Sequence, residues 1–353
     1  MQAQAQQPQS TPEQRLKNAL DRLYPKWLRE RAEARRNRPK HPFAVMFEKE
    51  LSDHFRSWRF IALLGLVFLT TAGSLYSSIS ALASISPASD ELKSFVFLRL
   101  YTLSNGTLPS FVSFIGFLAP LLGLMLGFDA VNSERNKGTL SRLMSQPIHR
   151  DYVISAKFLA SLAVIAIMYF ALGFLIMGIG LYTIGIPFTP EEFLRMVCFL
   201  LLCVVYTAFW LNLSILFSVV LRQPATSALI CVAVWIFFAV FFGMIINLLA
   251  EALLPGSGAT LEDYIAYRET ILFLQRLSPS QLFTEATTTL MIPSVRSVGL
   301  VTQEQLSLAL DAPLPLGQSL LLVWPQLTFL VAGSAVLFGI SYRLFMRQEI
   351  RSR

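Results

Sequence analysis

From Ser227 to Leu249 the chain reads SALICVAVWIFFAVFFGMIINLL, without one charged side chain. A run of that length matches the roughly 20 apolar residues that cross a bilayer as a helix. Five further stretches have the same character, so that six spans are expected at 59–82, 108–131, 152–182, 193–220, 226–253 and 319–345. Lipid offers no partner to a backbone N–H or C=O, so such runs must close their hydrogen bonds internally. The alternating pattern of a membrane barrel is absent. The fold class expected is therefore all-α, a polytopic membrane protein with six transmembrane helices. Composition agrees: 54% of residues are hydrophobic, 14% are charged and the mean hydropathy is +0.56. That balance excludes a disordered chain, a collagen-like chain and a disulfide-stapled secreted module. Cys198, Cys203 and Cys231 lie inside the apolar runs with no CxxC spacing, which reads as small buried hydrophobes rather than a metal or redox site.

Lysine and arginine set the orientation. With the N-terminus inside, 23 of the 29 basic residues fall on inner segments and 6 on outer ones. Both termini are thus expected in the cytoplasm. The same asymmetry accounts for the pI of 9.4, so the basic balance does not imply nucleic-acid binding. The first 58 residues carry no short apolar core before a cleavage site, and no signal peptide is expected.

The segments outside the spans have their own patterns. Residues 1–42 read as a cytoplasmic extension, in which Thr11-Pro12-Glu13 starts a basic helix with Leu16, Leu20, Leu23 and Trp27 along one stripe. That stripe suits packing on protein or on a membrane surface equally. Residues 43–58 form a second amphipathic helix, with Phe43, Phe47, Leu51, Phe55 and Trp58 on one face and Glu48, Lys49, Ser52, Asp53 and Arg56 on the other. Large aromatics opposite charges, immediately before a span, predict a helix lying along the inner leaflet. Phe47, Glu50, Leu51, Phe55 and Trp58 are its assigned residues. Residues 254–318 form a long outer segment, within which 269–292 is too polar to span and too apolar for a plain loop. Residues 346–353 are a basic tail.

Chemistry of the chain's own is hard to find. The spans hold almost no ionisable groups, and Asp129, Lys157 and Glu251 sit near span ends. Proton relays and ion-coupled carriers need such groups in mid-membrane. Asn212, within the fourth span, suits a helix–helix hydrogen bond. There is no HExxH, no GxSxG and no GxxxxGK[ST] phosphate loop. His41, His54 and His149 are scattered, and the methionines form no cluster. No catalytic residue, metal ligand or bound cofactor is expected, and any ATP consumed must be bound by another polypeptide.

The most informative stretch joins spans two and three, FDAVNSERNKGTLSRLMSQPIHRD at 128–151. Gly138 can end one helix and Thr139 can cap the next, while Pro147 stops it after about two turns. The product is a short peg bearing Leu140, Leu143 and Met144 on one side, suited to a groove in a soluble partner. An ordinary basic loop is the plainer reading. These residues resemble the signature of type-2 ABC export permeases: an acidic residue closing span two, an E-R-x-x-G-T-L core, a leucine pair, S-x-P, and a basic residue before span three. The matches are Asp129, Glu134, Arg135, Gly138, Thr139, Leu140, Leu143, Ser145, Pro147, Arg150 and Lys157. FEKELSDHFRSWRF and LSPSQLFTEA resemble the family's interfacial helix and its outer segment before the last span. The likeness covers about 43–350 and is strongest to the six-span branch containing permeases of copper-enzyme maturation and gliding motility.

The resemblance implies a permease subunit in the inner membrane of a bacterium, paired with a second permease and driven by two copies of a separate ABC ATPase that holds ATP and Mg. It implies that the loop at 132–151 couples to that ATPase through Glu134, Arg135, Gly138, Thr139, Leu140, Arg142, Leu143, Pro147 and Arg150. Leu140 would be the groove anchor, worth about 2 kcal/mol or more of partner contact. A membrane anchor or signalling subunit that moves no substrate is the alternative; an intramembrane enzyme is disfavoured by the absent ionisable pairs.

Overall fold

The computed structural model describes residues 41–84, 95–145, 148–185, 187–256, 260–293 and 314–348. The helix expected over residues 11–27, Pro147 and the last five residues of the tail lie outside these. The chain divides into two compact units, Met1–Val45 and Met46–Arg353; apart from the start of α1, all that follows concerns the second.

Every regular element among the described residues is helical. Helix α1 covers Pro42–Arg56, and α2 (Trp58–Ser84) is the first candidate span. After the short α3 (Val96–Thr102) comes α4 (Phe111–Gly127), the second span. The loop that follows holds α5 (Asn132–Asn136) and α6 (Thr139–Met144). Spans three and four are α7 (Arg150–Ile184) and α8 (Pro190–Val220). The fifth consists of α9 (Pro224–Ile236), a π-helical turn at Phe237–Phe241, and α10 (Phe242–Ala252). Then come α11 (Leu261–Gln275), α12 (Pro279–Met291) and the sixth span, α13 (Leu316–Arg347). Among the described residues, six helices are thus long and apolar enough to cross a membrane, at the places the sequence marked.

The central helix is α8, which packs along α4, α13, α7 and α12. Local sequence starts it firmly. Thr189 accepts from the Glu192 N–H, Glu192 accepts from the Thr189 N–H, and Pro190 takes the first turn, where a missing N–H costs nothing. Its closest neighbour is α4. A Cβ added at Gly123 would stand 2.7 Å from the Leu211 nitrogen and the Thr207 oxygen, and one at Gly127 would stand 2.8 Å from Ser214 Cβ. The two glycines are four residues apart on one face, the small-xxx-small spacing that lets helix backbones touch. Asn212 on the same helix donates to Ser334 Oγ at 2.7 Å, tying α8 to α13 as its polarity suggested. Span five is different: most of its side chains, Leu229, Val240, Met244 and Leu248 among them, are exposed.

At the end of the bundle formed by the C-terminus of α7 and the N-terminus of α8, two short helices turn inward. Phe97, Leu98, Leu100 and Tyr101 of α3 are all buried, and the Tyr101 hydroxyl donates to Gly173 O at 2.7 Å. Helix α12 is buried along most of its length against α8 and α13, with Phe283 stacked on Tyr206 at 4.4 Å between ring centres. The ambiguous polarity of 269–292 therefore resolves into an exposed α11 and an inserted α12. Arg195, counted in the sequence only as an outer charge, is fully buried there. It pairs with Glu191 at 2.9 Å and donates to the Leu290 carbonyl and to Ser319 Oγ, fastening α12 and the start of α13 to α8.

Candidate functional site

At the opposite end of the bundle the loop 128–151 is built into four helices. Gly138 has φ +68°, a left-handed turn that suits a residue without Cβ, and it separates α5 from α6. Gly138, not Thr139, holds the cap position of α6. Thr139 is the first helical residue and its hydroxyl donates to the Glu134 carbonyl at 3.2 Å, closing α5 instead. From α8, the Ser218 hydroxyl accepts the Val131 N–H at 2.9 Å and the Asn132 N–H at 3.3 Å. From the end of α13, Gln348 accepts a hydrogen bond from Arg135 on its side chain and one from Arg150 on its carbonyl at 3.3 Å. Gln348 in turn donates to Val219 O at 2.7 Å, so one glutamine links α13, α8, the loop and the start of α7.

Lys157 is the electrostatic centre of the site. Its ammonium lies 2.8 Å from Glu134 Oε1 and 3.1 Å from Glu50 Oε2. Both Lys157 and Glu50 are buried, with side chains 7% and 9% exposed, so each needs the other to offset its lost hydration. Lys49 adds a second cation, 3.0 Å from Glu50 Oε1. Burial pushes the Glu50 carboxyl upward, but Lys157 and Lys49 outweigh it and the carboxyl lies below its usual range. One turn along α1, His54 Nε2 shares a hydrogen bond with Ser161 Oγ at 2.9 Å, and burial lowers its pKa. Arg59 at the start of α2 pairs with Asp129, in the turn that follows α4, and lies over the Phe128 ring at 5.4 Å.

The face of α1 turned to the bundle is thus Met46, Glu50 and His54. The aromatic stripe points elsewhere: Phe47 and Leu51 are half-buried, and Phe55 and Trp58 are exposed.

The peg differs from expectation in one respect. Leu140 is only 1% exposed, already enclosed by its own chain, and so is not available as an anchor in a partner's groove. The apolar side of so short a helix is thus turned inward at Leu140, and the peg packs on α5 of the same loop. Leu143 is half-buried, while Asn136, Lys137, Gly138, Thr139 and Arg142 form the open surface. The structure therefore brings Glu134, Arg135 and Arg150 into contact with neighbouring helices and leaves Thr139 and Arg142 outward. Gln348, Lys49 and the partnership of His54 with Ser161 carried no motif. The signal that was available is Lys157 itself, a lone lysine inside an apolar run that requires a partner. No cluster of His, Cys, Asp and Glu among the described residues could hold a metal ion.

Comparison with known proteins gives this geometry a context. Two curated relatives carry the name "Probable ABC transporter permease protein NosY". The one from Pseudomonas aeruginosa is 28% identical over 119 residues, which is 34% of this chain and 38% of the relative. The one from Stutzerimonas stutzeri is 26% identical over 208 residues, covering 56% of this chain and 67% of the relative. The chain thus spans about two-fifths of the first and two-thirds of the second. The sequence model described as ABC-2 family transporter protein matches residues 44–350, from α1 to just beyond α13. The chain belongs to the ABC-2 transporter family.

Proposed function

We propose that this chain is the permease subunit of an ATP-driven exporter, with both termini in the cytoplasm, working as a dimer with a second permease and engaging a separate ABC ATPase through the loop 132–151. The observation that carries the reading is the Lys157 cluster. It joins α1 through Glu50, the loop through Glu134 and span three through Lys157 itself, so a push on the loop is delivered to three elements together. Gln348 extends the connection to spans four and six. Coupling between sites is a difference in contact energy between two states, commonly about 1–3 kcal/mol, and ion pairs that re-form in two arrangements can supply it.

In this reading α1 lies along the inner leaflet with Phe55 and Trp58 in the lipid interface, and the partner contacts the open face of the peg, Thr139 and Arg142. ATP and Mg reside on the partner, and this chain supplies pathway and coupling.

The test is a pull-down of the tagged full chain from its native membrane in mild detergent. A co-purifying phosphate-loop ATPase, lost on Arg142→Glu while the chain stays monodisperse, supports the reading. A pure, folded chain without any ATPase would overturn it in favour of an anchor or signalling subunit.

A further inference from the structure

Between span five and the junction of α11 with α12 lies a cavity of about 220 Å³. Span five presents two rows to it at four-residue steps, Phe238, Phe242 and Ile246 beside Ala239, Gly243 and Asn247. The π-helical turn at Phe237–Phe241 falls within these rows, a local widening of the helix that recurs at functional sites. Gln275, Ser280, Gln281 and Thr284 form the other wall. Their placement is set from the core, where the Tyr206 and Ser280 hydroxyls meet at 3.1 Å and Gln281 donates to Glu285 at 3.2 Å. No lining residue is charged. Gly243 keeps space open, since nothing stands within 4 Å of where its Cβ would be.

One wall is thus largely aromatic and aliphatic, and the other offers hydroxyls and carboxamides, which donate and accept alike. The Asn247 and Gln275 carboxamides form no hydrogen bond with the described residues. Asn247 and Phe238 lie five and fourteen residues before Ala252, where α10 ends, or about 8 and 21 Å along the helix axis. Polar groups at that depth beside a span need a partner that lipid cannot supply. We propose that this cavity binds an uncharged sugar unit carried on a membrane lipid. Ring hydroxyls pair with Asn247, Gln275 and Ser280, and a C–H face of the ring lies on Phe238 and Phe242. A phosphate or ammonium group would find no counter-charge among the lining residues and would lose hydration. The volume is below the roughly 300–1,000 Å³ of drug-sized pockets, which limits the occupant to a single sugar. A lipid at rest keeps its sugar in the headgroup layer, so a sugar held this far down the span is in passage. Naming that lipid as cargo rests on the permease reading; its binding does not, and is measured without any ATPase.

The experiment is native mass spectrometry of the full chain in an amine-oxide detergent, which carries no sugar to compete. The probes are glucosyldiacylglycerol, glucuronosyldiacylglycerol and diacylglycerol with identical acyl chains. The expected result is retention of the glucosyl lipid by about tenfold over diacylglycerol, the size of two neutral hydrogen bonds. Asn247→Leu and, separately, Gln275→Leu should each lower that ratio about threefold, the share of one such bond. Gly243→Met, which extends a side chain into open space, should abolish the preference. The glucuronosyl lipid differs by one carboxylate, and its retention should be the same in all variants. Millimolar methyl glucoside, a sugar without acyl chains, should fail to displace the glucosyl lipid. Equal retention of the glucosyl lipid and diacylglycerol by the unsubstituted chain would overturn the proposal. So would an unchanged ratio in Asn247→Leu or Gly243→Met, a matching fall in glucuronosyl lipid, or full displacement by methyl glucoside.

Discussion

The Lys157 ammonium stands 3.1 Å from the Glu50 carboxylate, a residue 107 positions earlier in the chain. The pair fastens α1 to the third span where both leave the bundle. Removing one member of a buried pair leaves the other charge unsolvated, which typically costs about 3–5 kcal/mol, whereas replacing both can be nearly neutral. Lys157→Met should therefore lower the temperature at which the detergent-solubilised chain loses its monodisperse peak by more than the combination of Lys157→Met with Glu50→Gln. A larger loss in the double variant than in the single one would exclude Lys157 as the partner that Glu50 requires.

Leu140 and Arg142 are two residues apart and should behave oppositely. Leu140→Asp puts a carboxylate where the side chain is enclosed, a cost on the order of 3 kcal/mol that appears as lost thermal stability of the chain alone. Arg142→Glu changes an exposed residue and should shift stability by less than about 0.5 kcal/mol while abolishing ATPase co-purification. Thermal unfolding of the two variants side by side decides the matter. Equal stability would mean that Leu140 is not enclosed.

The contact of α4 with α8 depends on bare backbone. At Gly127 a methyl group would meet the Leu211 carbonyl at 2.9 Å, and helix backbone cannot yield as a side-chain tip can. Gly127→Val should cost about 2 kcal/mol or more by forcing the helices apart. Gly243, which has open space around it, should tolerate alanine with little change. Comparable melting of the two variants would contradict the close approach.

The pH dependence of the cluster has a definite sign. Burial places the His54 pKa below its ordinary 6.5, among Glu50, Asp53, Asp129 and Lys157. The unfolded chain then takes up a proton as pH falls through 6.5 before the folded one does, so stability present above 6.5 declines toward the folded value. Glu50, whose carboxyl is lowered from 4.5, contributes stability that is lost only as pH falls below that range. Stability should consequently fall as pH drops through 6.5, and His54→Gln should flatten that slope. An identical slope in His54→Gln would assign the dependence to another group.

Much of the molecule was legible in the chain. Hydropathy located all six long helices, and the helix at 43–58 was found within a residue or two of α1. Gly138 was seen to divide the loop, because a glycine followed by Thr-Leu at a helix boundary is a local signal. The loop's own partners were not visible. Ser218 and Gln348 are ordinary polar residues whose roles exist only because helix ends converge on residues 128–150. The peg illustrates the limit best: periodicity put Leu140 and Leu143 on one side of a helix but could not say whether that side met the bundle or a partner.

The sequence by itself determined the number, length and apolar character of the spans, since a helix in lipid is decided by its own residues satisfying their own backbone. It also determined where the breaks fall, through Gly138, Pro190 and the Thr189 cap. Only tertiary structure decided that α3 and α12 turn inward, that Arg195 is buried and that Lys157 joins Glu50 to Glu134. Those outcomes are contacts between positions tens to more than a hundred residues apart. Their energy comes from matching buried charge to buried charge and bare backbone to bare backbone, and neither match exists until the helices are packed.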